Sequence, residues 1–142
     1  MKIEQLLRLD LIRKRSIDKS LAKSMIESSI DVMKVIKDTP LNEQTATIIF
    51  RETYESIRQL GDARLWLLGY EPKNHEASME ILKEIEIKNK IKLNHLMRFK
   101  NIRNDINYRG FKATLSQANE ILEFWGLCCD EIIKILKSEL SF

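Results

Sequence analysis

Apolar residues recur through most of this chain at alternating steps of three and four, the spacing that aligns them along one face of an α-helix. The repeat predicts a helical region up to about residue 38, in two pieces that meet around Arg15 and Ser16. It also predicts helices over about 42–68, a short stretch after Asn74, about 88–107 and about 114–136. No segment shows a sustained two-residue alternation. We therefore expect an all-α, up-and-down bundle of four main helices plus a short helix.

The same repeats predict which side chains form the core. The first long helix carries the stripe Leu21, Met25, Ser28, Val32 and Val35. The second carries Ile49, Thr53, Ser56, Leu60, Ala63 and Leu67, widened by Phe50, Tyr54 and Ile57. The helix over 88–107 carries Ile91, His95, Phe99, Ile102 and Ile106. The last helix has the most regular seam, formed by Leu115, Ala118, Leu122, Trp125, Cys129, Ile132 and Leu136.

Capping residues mark several of the predicted helix ends. Ser16 and Asp18 are suitable N-caps for the first long helix, and Asn74 is a suitable N-cap for the short one. Gly69 can take the left-handed conformation that ends a helix, and Gly110 ends the helix over 88–107.

Length and composition indicate one ordered domain. A chain of 142 residues can bury a real core but is short for two domains, so we expect 1–142 to be a single domain. Its 44% hydrophobic and 32% charged residues, with four glycines and two prolines, are typical of helix-rich globular proteins. They exclude the disordered, fibrous and turn-rich β classes.

Nothing in the sequence indicates export, a membrane or a metal. The first residues lack the apolar stretch of a signal peptide, and no uncharged apolar run approaches the length of a membrane span. Cys128 and Cys129 are adjacent, which is poor geometry for a mutual disulfide, so we interpret them as core residues. No Cys/His spacing suggests zinc. A cytoplasmic protein without metal or cofactor is the expectation.

Positive charge is concentrated in one segment. Between Lys88 and Lys112 the chain has eight Lys and Arg residues and one acidic residue, Asp105, which leaves a local charge of about +7 in a chain of net charge +3. The rest of the chain is therefore slightly acidic. Such local asymmetry favours an anionic partner.

The common catalytic motifs are absent from the sequence. It contains no Gly-rich phosphate loop, HExxH helix, GxSxG elbow or acidic calcium loop. Two histidines remain as candidates. His75 is either a solvated residue of a helix's first turn or a group that faces a pocket, whereas His95 lies on an apolar stripe and is interpreted as a partly buried core histidine.

Polar groups gather in RNDINYRG, residues 103–110, at the end of the basic helix. Guanidinium and amide groups bind phosphates and base edges, and a tyrosine can stack on a base. The stretch is thus either an ordinary helix end, with asparagines that reflect genome composition, or a binding site for an anion. The candidate nucleic-acid-binding residues around it are Arg98, Lys100, Asn107, Arg109 and Lys112.

The spacing of Arg103, Asn104 and Tyr108 limits how their side chains can meet. In a continuous helix Asn104 and Tyr108 share a face, but Arg103 and Tyr108 diverge by about 140°. We therefore expect Arg103 and Tyr108 to converge only if the helix unwinds before Gly110 or if they meet across two chains.

In the expected all-α bundle, the penultimate long helix ends in Arg-Asn, three residues and a Tyr. This arrangement, with a His or Tyr at the last position, resembles the HEPN family of nucleotide-binding helical domains. The segments LGYEPKNHEASMEIL and RNDINYRG are similar to the subset of that family with a Gly-Tyr turn and an RNxxxY ending. Helix order and lengths match over most of the chain.

The resemblance implies a homodimer with a composite cleft at its interface. Active HEPN proteins are metal-independent endoribonucleases, and their motif falls here on Arg103, Asn104 and Tyr108. By resemblance, Arg103 would hold or polarise the scissile phosphate and Asn104 would help position it. Tyr108 stands where the family has His, and a phenol, with an ordinary pKa near 10, is a poorer general base than imidazole at neutral pH.

Three interpretations follow. The chain is a toxin-type endoribonuclease, a non-catalytic subunit that binds RNA, a nucleotide or the substrate of a nucleotidyltransferase partner, or a plain helical interaction module. The resemblance implies a setting in toxin and antitoxin pairs, with a nucleotidyltransferase as the antitoxin-type partner.

Overall fold

The computed structural model describes residues 1–141 of the chain, and nearly all of its regular structure is helical. In chain order the elements are α1 (Ile3–Arg8), β1 (Ile12–Lys14), α2 (Lys19–Lys37), α3 (Ala46–Leu68), β2 (Tyr70–Pro72), α4 (His75–Leu82), a 3₁₀ turn (Lys90–His95), α5 (Leu96–Arg109), α6 (Leu115–Phe124), a π turn (Trp125–Cys129) and α7 (Asp130–Leu140). The helical class predicted from the repeats is confirmed.

Helix α3 is the centre of the bundle, because it contacts α2, α4, α5, α6 and α7. Its predicted stripe is confirmed, since every residue of it is buried. Phe99 of α5 lies edge-on to Phe50 of α3 and to Phe124 of α6, with ring centroids 6.1 and 5.4 Å apart. This aromatic cluster joins three helices at the middle of the core.

The predicted caps are largely confirmed. The Asp18 carboxylate accepts a hydrogen bond from the Leu21 amide, and the Asn74 side chain accepts one from the Ala77 amide. Gly69 and Gly110 both adopt left-handed conformations, with φ of 89° and 70°, at the ends of α3 and α5. These ends therefore follow from local chemistry.

The core stripe of α2 was predicted one residue out of phase. The buried residues are Ala22, Ile26, Ser29, Met33 and Ile36, whereas Val35 is 66% exposed. Both candidate stripes are largely apolar, so packing against α3 decides the rotation of α2. Ser29 is part of that contact, because its hydroxyl donates to the Ser56 carbonyl of α3 at 3.0 Å.

The N-terminal region contains a strand that the repeats do not predict. Residues 12–14 pair antiparallel with 70–72, Ile12 opposite Pro72 and Lys14 opposite Tyr70. The first helical piece is only α1, and the chain turns at Asp10, which has a φ of 59°. A three-residue strand cannot produce a visible alternation, and its partner lies far along the chain.

The helices after α4 also differ in detail from the prediction. The segment expected to begin a helix at about residue 88 is a 3₁₀ turn, and Ile91 is 77% exposed rather than part of the core. The last predicted helix is helical throughout, and within it Trp125–Cys129 have π-helical rather than α-helical hydrogen bonding. Its seam is otherwise buried from Ala118 to Leu136, apart from the half-buried Leu122, whereas Leu115 is exposed.

Cys128 and Cys129 are buried free thiols, as expected of core residues. Within residues 1–141, no helix is both long and apolar enough to cross a lipid bilayer.

Candidate functional site

A groove of about 320 Å³ lies between the start of α4 and the second half of α5. We call it the α4–α5 groove; it is lined by Asn74, His75, Glu76, Lys100, Arg103, Asn104 and Tyr108. It therefore combines the polar helix end RNDINYRG with His75 at the start of α4, two stretches far apart in sequence.

Three contacts determine where α4 begins and hence where His75 lies. The β1–β2 pair leads directly into α4, and the Lys73 amide donates to the Leu11 carbonyl at 2.9 Å. Asn74 caps the helix. Gly61 of α3 lets α4 approach closely, because a Cβ at this position would lie 2.8 Å from the Ser78 carbonyl carbon and closer still to its oxygen.

Arg103 is held in a defined orientation. Its side chain is 15% exposed, and one guanidinium nitrogen lies 3.6 Å from Glu55 of α3. Its guanidinium carbon lies 5.8 Å from the centre of the Tyr54 ring. With the Asn107 amide turned so that its oxygen faces the guanidinium, that oxygen accepts from Nε and Nη2 at 3.1 and 3.2 Å. The guanidinium group of Arg103 is thus pre-organised at the groove.

A chain of charged groups runs beneath the groove along α3. Arg58 donates to Glu55 at 2.9 Å and to Asp62 at 2.5 Å, and the hydroxyl of Ser78 in α4 donates to Asp62. Glu55 therefore serves two guanidinium groups, and its contact with Arg58 is the shorter one. The carboxylate contact of Arg103 is therefore the weaker of the two.

His75 lies close enough to this charged chain for its pKa to be shifted. Burial lowers the pKa of the imidazole below its ordinary 6.5, and the charges of Arg58 and Arg103 lower it further, against the smaller opposing effect of Glu55 and Asp62. The structure records no hydrogen bond or ion pair to this ring from any other part of residues 1–141. Its nitrogens are therefore available to a bound molecule.

The buried ring of Tyr54 lies next to both His75 and Arg103. Its ring is fully buried and lies 6.3 Å from the His75 ring, centroid to centroid. Burial raises the pKa of the phenol to about 12, so the hydroxyl keeps its proton at any physiological pH. That hydroxyl has no hydrogen-bond partner among the described residues.

The three residues of the RNxxxY motif line one groove without unwinding of the helix. Helix α5 continues to Arg109, yet Arg103, Asn104 and Tyr108 all border the α4–α5 groove. The expectation that Arg103 and Tyr108 converge only through an unwound helix or two chains stays a prediction, because bordering one groove does not bring two side chains together. Residues of α4 form the opposite wall, so side chains on either side of α5 can border the same space.

The other predicted nucleic-acid-binding residues lie in different places. Lys100 lines the groove, and Asn107 contacts Arg103. Arg109 is exposed at the end of α5, 3.8 Å from Asp105. Arg98 is turned away and forms an ion pair with Glu120 of α6, and Lys112 lines a separate cleft. The structure thus does not bring Arg98, Arg109 or Lys112 to the lining of the groove.

His95 lies outside the groove. Its side chain is 38% exposed, and Nδ1 lies 2.8 Å from Arg98 and 3.3 Å from Glu120. The ring also stacks on Phe99, with centroids 6.2 Å apart. Partial burial of this histidine was predicted correctly.

Sequence reasoning missed the groups beneath the groove, namely Glu55, Arg58 and Asp62. A signal was present: they are spaced by three and four, so they share a face, and Asp62 falls within the most apolar part of α3. Charged residues with helical spacing inside a buried segment indicate a paired network.

Two other cavities are weaker candidates. The largest, about 910 Å³, lies between the starts of α3 and α6 and is bordered by Glu43, Thr47 and Lys112. Its Thr47 hydroxyl already accepts from the Ala113 amide, and Thr114 caps α6. A third, beside His95 and Phe99, measures only about 50 Å³. The α4–α5 groove alone among these three combines an unpaired imidazole with an oriented guanidinium.

Residues 1–141 contain no group of three or more His, Cys, Asp or Glu side chains placed to hold a metal ion. Comparisons of the sequence with models of known protein families, with curated proteins and with solved structures found no match.

Proposed function

We propose that this chain is a HEPN-like helical protein that binds RNA or a nucleotide through a phosphate in the α4–α5 groove. One observation carries the proposal: Lys100, Arg103 and Asn104 of α5 border the same groove as His75 of α4. Ammonium, guanidinium and amide groups are the donors that proteins use for phosphate oxygens.

The orientation of Arg103 supports this role. A guanidinium that is already fixed by Glu55, Asn107 and the Tyr54 ring loses little rotamer freedom when it binds a phosphate. The one carboxylate contact of Arg103, with Glu55, is long at 3.6 Å, while Glu55 pairs with Arg58 at 2.9 Å.

Tyr108 supports a nucleic-acid ligand rather than a bare anion. Its side chain borders the groove and is 77% exposed. An exposed aromatic ring next to a phosphate-binding group can stack on the attached base.

A homodimer is part of the proposal. Two copies of the helix end would concentrate the donors of two grooves in one cleft and raise its positive charge. The exposed ring of Phe111, just beyond the end of α5, is apolar surface that a second copy would cover. By resemblance, the setting is a toxin and antitoxin pair with a nucleotidyltransferase partner.

The test is fluorescence anisotropy of a labelled single-stranded RNA of about 12 nucleotides, titrated with the protein from low to physiological salt. We expect the logarithm of affinity to fall linearly with the logarithm of salt, and Arg103→Ala to reduce that slope by about one. Lys34→Ala is the matched control, because it removes one exposed positive charge on α2, outside the groove. It should bind RNA as the wild type does.

Competition with a mononucleotide separates the two ligand sources. A nucleotide that displaces the RNA at micromolar concentration identifies a nucleotide site, and failure to compete identifies a strand-binding groove. If neither ligand binds at low salt, or if Lys34→Ala weakens binding as much as Arg103→Ala, the proposal is wrong. The helical interaction module is then the better interpretation.

A further inference from the structure

The imidazole of His75 lies beside the proposed phosphate site. It borders the α4–α5 groove with Lys100 and Arg103, and no side chain among residues 1–141 hydrogen-bonds to its nitrogens. By contrast, the RNxxxY motif itself supplies only a phenol at Tyr108, which is a weak base near neutral pH. The groove therefore contains one imidazole, and the short helix α4 provides it rather than α5.

We propose that His75 is the catalytic base of a ribonuclease reaction in this groove, acting on the 2′-hydroxyl next to the phosphate bound by Arg103 and Lys100. This inference rests on the binding function proposed above; ribonuclease activity itself is what the HEPN resemblance implies, and the assignment of the base to α4 is the new step. It also identifies the substrate class as RNA, because DNA lacks the hydroxyl that the base would deprotonate.

The reaction is a transesterification within the strand. The 2′-oxygen forms a bond to the adjacent phosphorus, and the bond from phosphorus to the 5′-oxygen of the next nucleotide breaks. His75 takes the proton of the 2′-hydroxyl, water gives a proton to the departing 5′-oxygen, and the imidazolium returns its proton to the resulting hydroxide. The products are a 2′,3′-cyclic phosphate and a 5′-hydroxyl end, without any oxidation or reduction.

The groups around His75 suit this role. Burial and the nearby guanidinium groups lower its pKa, so the ring is neutral near pH 7 and able to accept a proton. Arg103 is pre-organised by its contacts with Glu55 and Asn107 and would bind the negative charge that develops on the phosphate oxygens. The groove is open on one side, which gives water access to the leaving oxygen.

The chain offers a matched control, since it has two histidines and His95 lies outside the groove. The experiment uses a single-stranded RNA of mixed sequence in chelator, with cleavage and binding measured separately for the wild type, His75→Gln, His75→Asn and His95→Gln. A DNA copy of the strand and a fully 2′-O-methylated copy test the need for the hydroxyl.

We expect both His75 variants to cleave at least about 100-fold more slowly than the wild type, the usual loss when a general base is removed. Their RNA affinity should change by less than about threefold, and His95→Gln should cleave normally. The two modified strands should bind and stay intact. The RNA products should carry the cyclic phosphate.

Three outcomes overturn the inference. His75 variants that cleave like the wild type remove the residue from the reaction. A wild type that binds RNA but does not cleave it removes the reaction while leaving the binding function in place. A wild type that does not bind RNA removes both. Circular dichroism and melting curves of each variant show whether a loss of cleavage comes from the missing imidazole or from misfolding. Two different replacements of His75 are used in case one of them does not fold.

Discussion

The ionisation of His75 couples the stability of the fold to pH. Burial, Arg58 of α3 and Arg103 of α5 lower the pKa of this imidazole, and Glu55 and Asp62 of α3 oppose them. The folded protein therefore binds fewer protons than the unfolded chain just below pH 6.5. As a consequence, protonation of His75 costs stability as the pH falls through that window.

We expect His75→Gln to lose less stability than the wild type between pH 7 and pH 5, as measured by urea unfolding at both values. An NMR titration of the ring gives the direct check, with the His75 signal assigned by its absence from the variant. Burial, with Arg98 and Lys92, also lowers the pKa of His95, so the assignment is essential. A His75 midpoint at or above 6.5 would contradict the expectation.

Asp62 is the member of the charged chain beneath the groove whose removal should cost the most stability. Its carboxylate is buried, accepts hydrogen bonds from Arg58 and Ser78, and has a pKa that burial raises. Asp62→Ala would leave the half-buried Arg58 without its closer partner. Because Arg58 keeps Glu55, we expect this to lower the free energy of unfolding by about 1–3 kcal/mol.

The matched control is Asp31→Ala, which removes an exposed carboxylate 3.9 Å from Lys34 on α2. Such surface pairs contribute at most about 0.5 kcal/mol. Urea unfolding of the two variants gives the comparison, and equal effects would show that the network is not stabilising.

Gly61 determines how closely α4 packs on α3. A methyl group here would overlap the Ser78 carbonyl, and a backbone atom in a helix cannot move aside alone. We expect Gly61→Ala to destabilise the protein by about 1–3 kcal/mol and to displace α4. Because α4 begins at His75, cleavage should fall more than RNA binding does.

Gly126 is the control for this substitution, since a Cβ there meets nothing within 4 Å. Gly126→Ala lies in helical backbone and should stabilise the protein by about 0.5–1 kcal/mol. Thermal unfolding of both variants is the measurement. A neutral Gly61→Ala would mean that α4 is free to shift.

The rotation of α2 and the β1–β2 pair were predicted incorrectly, because both depend on packing between distant segments. The rotation of α2 was one residue out of phase because both of its candidate stripes are largely apolar, and only contact with α3 selects Ile26 over Met25. The β1–β2 pair was missed because each strand has three residues. Neither strand carries a pattern of its own.

At the level of the whole molecule, the proposed homodimer depends on the apolar surface at the end of α5. Phe111 is 54% exposed and lies under the Arg109 guanidinium at 5.8 Å. We expect Phe111→Asp to convert a dimer into a monomer at tens of micromolar protein, because it places a charge in the buried part of the interface.

Light scattering coupled to size-exclusion chromatography gives the mass. Val35→Asp is the control, since Val35 is an equally prominent apolar residue on α2, at 66% exposure, and should leave the mass unchanged. A wild type that is already monomeric would remove the composite cleft, and the α4–α5 groove of one chain would then have to act alone.

Local chemistry was sufficient to predict the helical class, the caps at Asp18 and Asn74, and the helix ends at Gly69 and Gly110, because caps and turns depend on residues within a few positions of one another. It also singled out RNDINYRG, three of whose residues border the α4–α5 groove. The folded chain was needed to bring His75 to Arg103, to place Arg58 between Glu55 and Asp62, and to turn Arg98 away. These relations depend on how α3, α4 and α5 pack, and packing energies between distant segments leave no periodic pattern in a single sequence.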